Sequence, residues 1–265
     1  MALACSTSAF KVPLADALAC VRALGFDYVD LIAIPQWKHI DPSALVEDWD
    51  STVAEITRLL ALHQLTPVAL NCAVPHLHQR DSKVVQTRLA EAEAIAKLMN
   101  HLDVQIASFY PGYKVDDRPW EDVFTDTVAT IREMRDVARA YHVRFVIELH
   151  YATPFQTVAQ SLQLLNEVKD LQIAYDPSHF AMQEIDLHET EPLLVKAAHV
   201  HLRDAGPGKM QMPPGTGTVD FDWILDTLAA IDYHGHCTIE YLPNIEGGAE
   251  ASISALRDRL APRLT

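Results

Sequence analysis

Residues 144–176 read RFVIELHYATPFQTVAQSLQLLNEVKDLQIAYD and contain one complete structural period of this chain. The run RFVIEL (144–149) is short, apolar and β-branched, as expected of a strand buried on both faces. In TVAQSLQLLNEV (157–168) the apolar residues instead recur three and four apart, which predicts an amphipathic helix. QIAYD (172–176) then returns to the strand pattern. Two buried strands joined through a helix are expected to be parallel, with a right-handed crossover. Each run carries an acid at or next to its C-terminal end, Glu148 and Asp176.

The same unit recurs in both directions. Strand-like runs lie at LACST (3–7), YVDLIAI (28–34), PVALNC (67–72) and VQIASFY (104–110), and beyond the opening stretch at AAHVHL (197–202) and HCTIEY (236–241). Helical spacing fills 14–24, 84–99 and 124–141, and a last pattern at 251–260 follows the final strand. Eight strand–helix repeats in 265 residues predict an α/β protein with a single domain over 1–265, a (β/α)8 TIM barrel. A doubly wound open sheet is the alternative, because closure itself leaves no mark in sequence. The segment DAGPGKMQMPPGTGTVD (204–220) is long and rich in Gly and Pro, and is read as a lid.

Composition narrows the function classes. A formal net charge of −15 opposes binding to nucleic acid, which draws on clustered Lys and Arg. Cys5, Cys20, Cys72 and Cys237 form no CxxC or short-loop pattern, so neither a disulfide framework nor a cysteine zinc site is expected. The N-terminal MALACSTSAF lacks a basic start and a long apolar stretch, and no apolar run approaches ~18 residues. A cytoplasmic protein without membrane contact is the expectation.

In a barrel the chemistry lies at the C-terminal ends of the strands. Four runs end there in acid/base or metal-ligand types: Glu148 in FVIE, Asp176 in IAYD, His201 in HVH and Glu240 in CTIE. Singly, each marks a strand leaving the core. Together they would converge, and three carboxylates without a cation would repel one another. Three carboxylates and one imidazole form an oxygen-dominated set suited to a divalent metal, Mn²⁺ first, with Mg²⁺ or Co²⁺ as alternatives and Zn²⁺ less favoured. No GxSxG, GxxxxGK[ST], HExxH or strand-linked GxGxxG offers a competing chemistry.

The pieces VIELH, YDPSHF, HVHLRD, PPGTGTVDF and TIEY, in this order and at these spacings, resemble the xylose isomerase-like TIM-barrel superfamily. That superfamily includes tagatose and psicose 3-epimerases, hydroxypyruvate isomerase, inosose dehydratase and the apurinic-site endonucleases. The resemblance implies one metal held by Glu148, Asp176, His201 and Glu240, with His179 in contact with substrate. It departs from the endonuclease branch at Tyr110, where a histidine is expected, and in lacking a DxH pair in the lid. It departs from the epimerases at Pro154 and Pro207, which stand where a glutamate and an arginine are expected.

The resulting expectation is a metal-dependent isomerase or epimerase of a keto-sugar. Glu148 and Glu240 would exchange a proton across a metal-stabilised enediolate. The alternatives are a lyase or dehydratase acting β to the carbonyl, or one subunit of a heteromeric carbohydrate enzyme. Homo- and hetero-oligomers stay open. His150 and Arg203, two residues beyond Glu148 and His201, are expected over the metal as substrate contacts. Lys209 in the lid is the candidate replacement for the missing arginine. His76, His78, Trp37, Tyr110, Tyr113 and Trp120 are weaker candidates for a sugar pocket. His199 shares the inward face with His201 but lies one layer deeper, as a packed or hydrogen-bonded support.

Overall fold

The computed structural model describes every residue except Gln36, Lys38, Pro75 and Thr265. In chain order the barrel strands begin with β1 (Ala2–Ser6), β2 (Tyr28–Ala33), β3 (Thr66–Cys72) and β4 (Ile106–Phe109). They continue with β5 (Arg144–Glu148), β6 (Ile173–Tyr175) and β7 (Ala197–Leu202). A short antiparallel hairpin follows, β8 (Asp204–Gly206) and β9 (Lys209–Met212), and then the last barrel strand, β10 (His236–Ile239). β10 pairs in parallel with β7 on one side and with β1 on the other, which closes the barrel and rules out the open-sheet alternative.

Five helices coincide with the patterned segments, whereas Trp49–His63 and Phe221–Ala230 form outside them. These five, Leu14–Ala23, Ser82–His101, Trp120–Ala140, Val158–Glu167 and Ala249–Leu260, follow β1, β3, β4, β5 and β10 in sequence. The start of Val158–Glu167 is set chemically. Thr157 accepts a hydrogen bond from the Gln160 N–H, and the Gln160 side chain accepts one from the Thr157 N–H, satisfying two orphan donors of the first turn. Among the described residues no helix is long and apolar enough to cross a membrane.

The lid is more ordered than its composition suggests. Its first half is the β8–β9 hairpin, and its second half wraps the buried carboxylate of Asp204. That carboxylate accepts from the backbone N–H groups of Ala205 (2.9 Å), Gly215 (2.7 Å), Gly217 (3.0 Å) and Val219 (3.4 Å). The wrap demands glycine at 217, where a Cβ would stand 2.2 Å from Asp204 Oδ1 and 2.3 Å from the Ala205 carbonyl oxygen. One buried charge therefore organises a segment that reads as loop.

Candidate metal and active site

Glu148 closes β5, Asp176 follows β6, His201 lies in β7 and Glu240 follows β10, so one barrel mouth receives all four side chains. All are buried, Asp176 and His201 completely. One donor atom from each residue lies within 4.8 Å of the other three. His201 Nδ1 stands 3.0 Å from Glu148 Oε1 and 3.3 Å from Glu240 Oε2. Asp176 Oδ1 accepts from the Ser178 N–H at 2.8 Å, while Oδ2 receives Arg203 Nη2 at 2.7 Å.

Electrostatics show what this set requires. Burial holds the Asp176 carboxyl above its ordinary range even beside Arg203, and the charges of Glu148 and Glu240 push the same way. Burial acts likewise on Glu240, but there the charges of His201 and Arg203 prevail and hold the carboxyl low. For His201, burial favours the neutral ring, yet Glu240 and the hydrogen bonds to Asp30, Glu148 and Glu240 push its pKa well above the usual histidine value. A proton on His201 thus supplies part of the positive charge that the acids demand. Three buried carboxylate groups and an imidazole nitrogen converging in this way fit a divalent cation, which competes with that proton.

Behind the four lies a polar layer that sequence reasoning did not assign. Asp30 Oδ2, on β2, stands 3.2 Å from His201 Nε2 and 2.8 Å from His199 Nε2. Asn71, on β3, donates from Nδ2 to Glu240 Oε1 at 2.9 Å. Both were visible as polar residues inside apolar runs, YVDLIAI and PVALNC, where a buried polar group needs a partner. His199 takes the supporting place expected of it. Its ring stands perpendicular to that of His201, with centroids 4.9 Å apart.

A cavity of about 360 Å³ opens above the four. Asn71, Glu148, His150, Arg203 and Glu240 supply its polar side, and Ile34, Trp37, Tyr110, Tyr113 and Met210 its apolar side. Arg203 does reach the cavity, but it is buried and committed to the protein. It donates to Asp176, to Ser178 Oγ (2.8 Å) and to His179 Nε2 (3.1 Å).

His179 is buried and absent from the cavity lining, with the His150 ring 3.6 Å from its own. A guanidinium only donates, so His179 Nε2 accepts and the ring proton sits on Nδ1, a buried donor without a partner among the described residues. Burial, reinforced by the Arg203 guanidinium, holds the His179 pKa well below the usual histidine range.

Lys209 lies away from the barrel-mouth cavity. It is exposed and lines a separate cleft, because the hairpin aims Met210, not Lys209, into the cavity. His76, His78 and Trp120 also lie outside the cavity lining; Trp120 donates to the Pro154 carbonyl oxygen at 2.8 Å on the outer surface.

Residues 18–259 match the family described as a xylose isomerase-like TIM barrel. The chain belongs to this family. Solved structures with the same barrel fold include the 3-keto-D-glucoside 4-epimerase YcjR from E. coli in its apo form. That match has 18% identity and a TM-score of 0.75, covering 99% of this chain and 98% of that one. The IOLI protein with a bound zinc atom matches at 22% identity and a TM-score of 0.76, over 98% and 97% of the two chains. The probable 3-DHS dehydratase AsbF from Bacillus anthracis matches at 18% and 0.75, over 98% and 99%. Likenesses at these identities establish the shared barrel alone. Comparison with curated proteins yields no match.

Proposed function

We propose that this xylose isomerase-like barrel is a divalent-metal-dependent epimerase or isomerase of a keto-sugar, with Mn²⁺ the preferred ion. One observation carries the reading: Glu148 and Glu240 line the same cavity and both approach His201 Nδ1, at 3.0 and 3.3 Å. Glu148, Asp176, His201 and Glu240 would hold the ion. Lewis-acid stabilisation of the charge that develops on a substrate oxygen is the chemistry a divalent ion supplies, worth several kcal/mol.

The remaining work belongs to the side chains. Glu148 and Glu240 come from strands separated in the barrel by β6 and β7, so they address a planar intermediate from two sides. One removes the proton on the carbon next to the carbonyl, and the other returns it. Asn71 orients Glu240, and Arg203 holds Asp176. The aromatic wall of Trp37, Tyr110 and Tyr113 offers stacking faces for the C–H side of a sugar ring and limits access of water.

The test is incubation with Mn²⁺ and a panel of ketoses, keto-polyols and 3-keto-glycosides in D₂O. Deuterium uptake next to the carbonyl is expected, together with a new stereoisomer or positional isomer. Glu148→Gln and Glu240→Gln should each abolish the new stereoisomer, and the double variant should abolish uptake, while the fold persists. An absorbing enone in place of an isomer would assign elimination instead. Uptake that survives both substitutions would sink the proposal.

A further inference from the structure

Beyond the cavity at the barrel mouth, the hairpin has a second face. Between it and the segment after β10 lies a cleft of about 600 Å³, lined by Lys209, Gln211, Thr216, Asn244 and Glu246 along with Met212. Met210 and Leu242 line both this cleft and the 360 Å³ cavity above the four acid and imidazole groups, so the two spaces adjoin across these two side chains.

The cleft is built rather than incidental. Gln211 Oε1 accepts from the Leu242 N–H at 2.8 Å, and Gln211 Nε2 donates to Asn244 Oδ1 at 2.9 Å, so one side chain ties the hairpin to the opposite wall. Tyr241 donates its hydroxyl to the Met212 carbonyl oxygen at 3.2 Å, and the Asp204 wrap fixes the hairpin's base. Walls held in this way lose little freedom when a ligand arrives.

Its chemistry selects the ligand. Lys209 and Glu246 have no ion-pair partner among the described residues, and they bring one cationic donor and one anionic acceptor to the same cleft. Their charges offset, which disfavours a phosphate or a cationic group. Asn244 adds an amide, and Met210, Met212 and Leu242 add apolar surface. Donors, acceptors and an apolar patch with no net charge match an uncharged polyhydroxyl ring.

We propose that this cleft is a subsite for a second, neutral sugar unit, so that the substrate class is a keto-glycoside with its keto-sugar ring at the acids and its partner ring between Lys209 and Glu246. This rests on the keto-sugar reading above.

The experiment compares 3-keto-glucose with 3-keto-sucrose, 3-keto-maltose and 3-keto-cellobiose in Mn²⁺ and D₂O. It uses wild type and the Lys209→Ala/Glu246→Ala double variant, whose changes are on exposed residues. At least one keto-disaccharide should exceed the keto-hexose in kcat/KM by about tenfold, and the double variant should bring that ratio towards one. Equal kcat/KM values, or a ratio that the double variant leaves unchanged, would overturn the subsite.

If no keto-sugar turns over, the keto-sugar reading fails and calorimetry decides the subsite separately. Sucrose, maltose or cellobiose should then bind more tightly than glucose to wild type, with the advantage lost in the double variant. Equal affinity for glucose and all three disaccharides overturns it.

Discussion

Asp30 Oδ2 lies 3.2 Å from Nε2 of His201, on the edge of the ring opposite the Nδ1 that faces Glu148 and Glu240. An acceptor at Nε2 keeps the ring proton there and leaves the Nδ1 lone pair free for a cation. Asp30→Ala is therefore expected to weaken Mn²⁺ binding by about 10- to 100-fold, measured by calorimetry. Asp30→Asn, which retains a carbonyl acceptor, should lose less. Wild-type affinity in Asp30→Ala would remove Asp30 from the ligand's support.

Metal removal should be visible in stability as well as activity. Ligand that binds only the folded state stabilises it by about 2.7 kcal/mol at a hundredfold excess over Kd. Treatment with a chelator should lower the melting temperature, and Mn²⁺ should restore it in wild type. In a Glu148→Gln/Asp176→Asn variant the melting temperature should no longer respond to Mn²⁺. A response equal to that of wild type would place the ion elsewhere.

Arg203 is the buried counter-charge of Asp176, at 2.7 Å. Arg203→Met leaves that carboxylate without its cation, at a cost of about 3–5 kcal/mol in metal-free protein. Bound Mn²⁺ supplies a replacement charge, so denaturant unfolding should show a smaller loss with metal present. Equal losses in the two states would separate Arg203 from the metal site.

Gly217 and Gly215 sit on the same wrap around Asp204 but differ in the space beside them. A Cβ at 217 meets Asp204 Oδ1 at 2.2 Å, whereas one at 215 meets nothing within 4 Å and only strains a backbone at φ +85°. Gly217→Ala should cost about 1–3 kcal/mol through overpacking. Gly215→Ala should cost about 1 kcal/mol through its backbone alone. Hydrogen exchange should show the hairpin amides of 209–212 losing protection in Gly217→Ala first.

Burial pushes the Cys237 thiol up to about 12 and also raises Cys5 and Cys72, all three lacking solvent exposure. A raised pKa means less thiolate at any given pH, and burial bars the reagent as well. Cys20 is partly exposed; burial and the nearby Glu250 raise it too, but to a smaller extent. A maleimide at pH 8 should modify Cys20 alone in native protein, faster as pH rises, and all four cysteines after unfolding. Early modification of Cys237 would contradict its place in the closed strand pair β1–β10.

Much of the site was legible because its signal is local. A strand places alternate residues on one face, and a parallel barrel delivers the ends of its strands to one mouth, so Glu148, Asp176, His201 and Glu240 could be paired with that mouth from their positions in four apolar runs. The depth difference between His199 and His201 followed from the same two-residue period.

What sequence alone determined was therefore the alternation of strand and helix and the identity of the polar residues that end the strands. Both are dictated by side-chain periodicity within a few residues. Tertiary structure alone decided closure, since the β1–β10 pairing joins residues over 230 positions apart. It also decided that Asp30 and Asn71 meet His201 and Glu240, that Arg203 turns to Asp176, and that the hairpin directs Met210 inward and Lys209 outward. Those outcomes depend on partners brought by other strands and on the backbone N–H groups gathered by one buried carboxylate, Asp204, which no local pattern encodes.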